Sequence, residues 1–167
     1  MATKFFALLA SVLLPISCLS QKVDNTPVRT FNQGKYLGVW FEIARFDHSF
    51  ERGVDFATAW YSMMDNGMVK VVNSGVKNGK DKQSVGKAKF TKTPGLLRVS
   101  FFGPFYSDYR VLMVSSDYQY ALVGSKSPDY LWILSRTPKV PGDILSGILS
   151  EARARGYDLN KLLWIQQ

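Results

Sequence analysis

Between residues 34 and 135 the chain is cut by turn residues into short runs of alternating character, and this punctuation limits the possible folds more than any other feature. Asp65-Asn66-Gly67 contains the Asn-Gly pair that supplies the positive φ angles of a tight hairpin. Asn78-Gly79-Lys80-Asp81, Thr93-Pro94-Gly95, Gly103-Pro104, Asp117-Tyr118-Gln119 and Ser127-Pro128-Asp129 interrupt the chain in the same way. The runs between them read as strands: the stretch ending at Phe46, then 54–63, 68–73, 83–91, 96–102, 109–115, 120–124 and 130–135. Eight short strands joined by hairpins, with no helix among them, predict an all-β fold: an eight-stranded antiparallel up-and-down β-barrel, which closes without long crossovers.

The character changes after Pro141. Ile144, Ile148, Leu149 and Ala152 recur at helical spacing, with Asp143 as the expected N-cap and Arg153, Arg155 and Gly156 suited to the C-terminus. This one C-terminal α-helix should pack its apolar stripe outside the sheet. Leu162-Leu163-Trp164-Ile165 reads as a last short strand at an edge.

Period-two alternation assigns the faces. In the opening strand Trp40, Glu42, Ala44 and Phe46 share one side, and Phe41, Ile43 and Arg45 the other. With the Trp40 side inward, the expected lining is Ala57, Ala59 and Tyr61; Val69, Val71 and Asn73; Gly86, Ala88 and Phe90; Leu97, Val99 and Phe101. Tyr109, Val111 and Met113, Leu122 and Gly124, and Tyr130 and Trp132 continue it. Small residues recur in this set, leaving room for one long, mainly apolar ligand unless larger neighbours fill the space. The ligand-binding candidates are Ala59, Tyr61, Val71, Asn73, Ala88, Val99, Tyr109, Val111, Tyr130 and Trp132. Among them Tyr61, Asn73, Tyr109 and Tyr130 could hydrogen-bond a carboxylate or phosphate ester, assisted by basic residues at the rim. Glu42 is expected to satisfy backbone or tyrosine hydroxyls, and His48 to be a loop residue held by neighbouring carboxylates.

A chain of 167 residues suits one domain. Its net charge of +8 is spread over scattered lysines with no basic run of five, which argues against nucleic-acid binding. Lys4 followed by the apolar stretch from Phe5 to Ile16 has the form of a secretory signal and is too short to span a bilayer. Cys18, the only cysteine, follows it, so no disulfide within one chain and no cysteine-based metal site is expected. In one reading residues 1–17 are a signal peptide, Cys18 is lipidated as the first residue of the mature chain, and 18–30 form a tether to a domain at 31–167. In the other, cleavage follows Ser20 and the product is periplasmic or secreted. No nucleophile elbow, phosphate loop, dinucleotide fingerprint or histidine cluster occurs, so neither catalysis nor a cofactor nor a metal is read.

Gly38-x-Trp40, Asp117-Tyr118 and Arg136 stand where the lipocalin family carries its three motifs, and the chain resembles that family. Tyr36 to Gly53, Val99 to Tyr106 and Asp129 to Pro138 are similar to the branch holding bacterial outer-membrane lipoproteins, within the apolipoprotein D-like group. The resemblance implies that Trp40 and Arg136 stack at the closed end of the barrel. It implies a fatty acid or lysophospholipid ligand, a place at the outer membrane through lipidated Cys18, and a homodimer as a candidate assembly. Three other readings stay open: a haem or tetrapyrrole binder with His48 as axial ligand, an isomerase of a bound lipid, and an envelope lipoprotein that binds partners through Phe50, Phe105 and Tyr106.

Overall fold

The computed structural model describes residues 22–167. The signal segment, Cys18 and the first residues of the tether lie outside the described residues. After a one-turn helix α1 (Gln33–Tyr36) come β1 (Gly38–Phe46), β2 (Asp55–Met63), β3 (Val69–Lys77) and β4 (Lys80–Phe90). β5 (Leu96–Phe102), β6 (Phe105–Val114), β7 (Tyr120–Gly124) and β8 (Leu131–Ser135) complete the meander. Helix α2 (Gly142–Ala154), a 3-10 turn (Leu159–Lys161) and β9 (Leu162–Trp164) follow. Each of β2 to β8 pairs with its neighbour in sequence, β8 pairs with β1, and β1 returns to β2, so the sheet closes into an eight-stranded antiparallel barrel. Hairpin connections leave few other ways to satisfy both edges of every strand.

The barrel has a core inside and another outside. Tyr36, Trp40, Tyr61, Val69, Val71, Ala88, Leu97, Val111, Ala121, Val123 and Leu134 form the inner cluster. Ile43, Ala44, Phe46, Leu112, Leu122, Leu131 and Ile133 point outward and are covered by Ile148, Ala152 and Tyr157. α2 thus buries the Ile148–Ala152 stripe on the wall formed by β1, β7 and β8. Its N-cap position is Pro141 with no side-chain bond; Asp143 sits two places too late to cap and lies in the first turn instead. Gly156 ends the helix at φ 90°.

Two bulges overturn face assignments made by strict alternation. The β1–β8 register shifts between Glu42 and Ala44, so Ala44 and Phe46 face the outer core and Arg45 turns to the Glu42 side. The β6–β7 register shifts between Val111 and Met113, which puts Met113 outside. In β7, Ala121 and Val123 are the inward residues, while Leu122 packs outside and Gly124 abuts Tyr157. Both faces of that strand are apolar, so its pattern contains no phase information.

β1 pairs with β2 only from Gly38 to Phe41. Beyond that point the two strands part, and the C-terminal segment fills the seam. β9 pairs with Ala44–Phe46, Ile165 N–H donates to Ile43 O at 3.0 Å, and Gln167 Nε2 donates to Glu42 O at 2.6 Å and Ala57 O at 2.9 Å. Phe56 N–H donates to Gln166 O at 2.7 Å, in a β2 bulge where Phe56 holds φ 52°.

Candidate functional site

The closed end is built around one guanidinium. The Arg136 guanidinium carbon lies 3.8 Å from the centre of the Trp40 ring system. Its Nη1 donates to Val39 O at 2.6 Å, its Nη2 to Lys35 O and Leu37 O at 2.8 Å each, and its Nε to Tyr118 O at 3.2 Å. A planar cation with five fixed donors suits this role, since it can stack and bond at once. Gly38, at φ 100°, leaves the space: a Cβ there would stand 3.2 Å from Arg136 Nη1. Asp117 accepts from Ser115 Oγ at 2.6 Å within the β6–β7 turn, and the Tyr118 hydroxyl accepts from Asn32 N–H at 2.6 Å. The Gly38, Trp40, Asp117, Tyr118 and Arg136 set is therefore one structural assembly that tethers α1 across the barrel floor.

Above Trp40, three tyrosines converge. The Tyr36 and Tyr109 hydroxyls are 2.6 Å apart, and the Tyr61 hydroxyl donates to Tyr109 at 3.0 Å. Burial pushes all three phenols above the ordinary tyrosine range, so they stay neutral donors and acceptors. With Val69, Val71, Ala88, Leu97 and Val111 they seal the lower half of the interior.

The upper half is different. Ala59, Asn73, Val99, Phe101 and Trp132 face inward and remain partly exposed, as surfaces reached from the open mouth should be. Their surface is almost wholly carbon. Asn73 Oδ1 is buried there without a partner, an unsatisfied acceptor facing the barrel interior. The ten ligand-binding candidates thus fall into two groups. Tyr61, Val71, Ala88, Tyr109 and Val111 belong to the sealed floor, and Ala59, Asn73, Val99, Tyr130 and Trp132 to the open wall and rim.

Alternation alone missed a buried ionic cluster at the mouth, because the β1 bulge creates it. Arg45 Nη1 donates to Glu42 Oε1 at 2.5 Å, and its Nη2 reaches Glu51 O at 2.6 Å and Val54 O at 3.1 Å. Burial pushes the Glu42 carboxyl well above the ordinary glutamate range, with the Glu51 carboxylate adding to the effect and Arg45 opposing it. The expectation that Glu42 bonds backbone or tyrosine hydroxyls is corrected: its partner is Arg45. Glu51 Oε2 accepts from Trp132 Nε1 at 3.1 Å and lies 3.0 Å from His48 Nε2, although that contact lacks hydrogen-bond angles and leaves both ring nitrogens unbonded. His48 stacks on Phe50 at 3.9 Å, and Tyr130 stacks on Trp132 at 5.9 Å. The β1–β2 loop is thereby latched over the mouth by one carboxylate and four rings.

A family model described as a lipocalin-like domain matches residues 31–167. The chain is 44% identical over 163 residues to the outer membrane lipoprotein Blc of Escherichia coli (strain K12), an alignment covering 94% of this chain and 92% of the relative. It is 33% identical to mouse (Mus musculus) apolipoprotein D, covering 87% and 82% respectively. Among solved structures, insecticyanin from the tobacco hornworm Manduca sexta superposes with a TM-score of 0.71 at 24% identity, covering 85% of this chain and 84% of that one; this likeness concerns the fold.

Proposed function

The chain belongs to the lipocalin family, and from that membership we propose that it is a non-enzymatic carrier holding one fatty acid or lysophospholipid in the upper half of its barrel. The observation that carries this reading is the division of the interior: a floor packed shut by aromatics beneath a partly exposed, nearly all-carbon wall. Such a space rewards an acyl chain, because each buried methylene contributes about 0.8 kcal/mol and a few of them outweigh any one polar contact. The head group sits at the mouth, within reach of Asn73, Tyr130 and the Glu51–Trp132 latch. Relatives named outer membrane lipoprotein support a place at the outer membrane for this chain, with residues 1–17 removed, Cys18 acylated and 18–30 as the tether. A homodimer finds support in one feature of the outer wall, where Val39, Trp60 and Val85 stand exposed in a cross-strand row through Val72.

Native mass spectrometry of the purified protein should find one acyl ligand per barrel, and a fluorescent fatty acid should be displaced by unlabelled fatty acid or lysophospholipid. Ala59→Trp should fill the wall and abolish probe binding, and Trp132→Ala should weaken it about tenfold or more by removing wall and latch together. A wild-type barrel that takes up no probe would sink the carrier reading. The mass of the mature N-terminus decides whether Cys18 is acylated.

A further inference from the structure

The β5–β6 hairpin rises from the mouth of the barrel and ends in Phe102-Gly103-Pro104-Phe105. The two phenylalanines pair across the turn and are 80% and 79% exposed. Phe50, on the loop latched over the same mouth, is 61% exposed. Single exposed apolar residues are ordinary, but three phenylalanines at the tips of two loops on opposite sides of one opening are not. From Phe101 to Ser107 the hairpin contains no charged residue. Elsewhere around the rim Arg52 is paired with Asp47 at 2.8 Å, and Lys126 shares its loop with Asp129. The β3–β4 turn adds Lys77, Lys80 and Lys82 against Asp81, so the rim's positive charge sits on that loop while the aromatic β5–β6 tip is itself uncharged.

The path of the N-terminal segment supplies a second, independent constraint. Asn25 Nδ2 donates to Lys126 O at 2.8 Å, and Arg110 Nη1 donates to Asn25 Oδ1 at 2.8 Å. The described chain thus enters beside the β7–β8 loop, which is a loop of the open end, before running to α1 at the closed end. Four residues separate Cys18 from Val23, which packs against the outer core, so over five residue steps an acyl group on Cys18 holds that corner within about 17 Å of a bilayer.

We propose that the mouth itself docks on a lipid bilayer, with Phe102 and Phe105 inserted at the depth of the head groups and Phe50 touching it from the opposite lip. The occupant is the bilayer interface, because rings on an uncharged hairpin gain from entering it whatever its lipid charge. Membrane contact is then made twice, by the anchor and by the rim, and a lipid moves between bilayer and barrel without crossing water. The docking surface stands on the exposed tips; only its purpose rests on the carrier reading above.

The test uses the processed chain starting at residue 18 with Cys18→Ser, so that no acyl anchor contributes. It should co-sediment with neutral phosphatidylcholine vesicles, and added salt should change the fraction bound to them less than twofold. Phe102→Ser with Phe105→Ser should lower the partition coefficient at least about tenfold, given the apolar area withdrawn. Ile144→Ser, on the far side of α2, should not change it. Fluorescent fatty-acid binding in solution should be the same in the tip variant and its parent, which separates failed docking from a failed carrier. Absence of vesicle binding overturns the proposal, as does unchanged binding by the tip variant. It is equally overturned if mass photometry shows that the tip substitutions dissolve a dimer, or if capture requires anionic lipid.

Discussion

At the scale of single residues, Arg136 does the work of a small core. Replacing it with alanine removes the stack on Trp40 and leaves the Lys35, Leu37, Val39 and Tyr118 carbonyls without their donor. The expected cost is about 3–5 kcal/mol in urea denaturation, and Arg136→Lys should recover less than half, because an ammonium offers neither the plane nor the fork. Glu42 gives a pH signature. Its folded-state pKa is raised, so the native state binds more protons than the unfolded chain, and this group's stabilising contribution is lost as pH rises. The window runs from the ordinary glutamate value of 4.5 to about 8. Thermal melts should show stability falling with pH across that window in the wild type, and a flatter profile in Glu42→Gln, which lacks the titrating group.

At the scale of elements, α2 is a lid on the outer wall. Ile148→Ala empties a fully enclosed site and should cost about 2–4 kcal/mol, whereas Ile144→Ala, on the partly exposed side, should stay within about 0.5 kcal/mol; paired denaturant curves compare them directly. The strands were legible in the sequence because turn chemistry is local: Asn66-Gly67 and Pro94-Gly95 announce their hairpins with no knowledge of partners. The wall of β2 to β5 was legible too, since those strands keep strict alternation along Ala59, Tyr61, Val69, Val71, Ala88, Leu97 and Val99. What the sequence hid lies beyond the bulges at Glu42–Ala44 and Val111–Met113. A bulge is set by what two strands do together, so one chain's pattern does not disclose it, and every later assignment loses phase. Arg45 went unrecognised as the partner of Glu42 for that reason alone. The latch through Glu51 and Trp132 joins residues 81 apart and has no local signal at all.

At the scale of the whole molecule, the barrel is a pocket sealed at one end by Arg136 and Trp40, latched at the other by Glu51, and finished along one side by a borrowed segment. Deleting residues 165–167 removes the bonds to Ile43, Phe56, Ala57 and Glu42 and frees Phe56 from its left-handed backbone. The shortened chain should melt several degrees lower, and amide exchange should speed up in 42–46 and 55–58 while β3 to β5 keep their protection.

That seam also orders events in time. β1 emerges before every other strand, yet its partners are β2, β8 and β9, and its Glu42 carbonyl waits for a side chain 125 residues further along. β2 to β5 can zip hairpin by hairpin as they appear, while the first strand's far edge stays unsatisfied until nearly all the rest exists. Closure is then a single late event with a large loop entropy, and the nascent sheet spends its growth with a bare edge open to pairing with strangers. For such a chain, shelter from aggregation matters most just before completion, and a slow final phase that tracks β1 protection is its kinetic fingerprint.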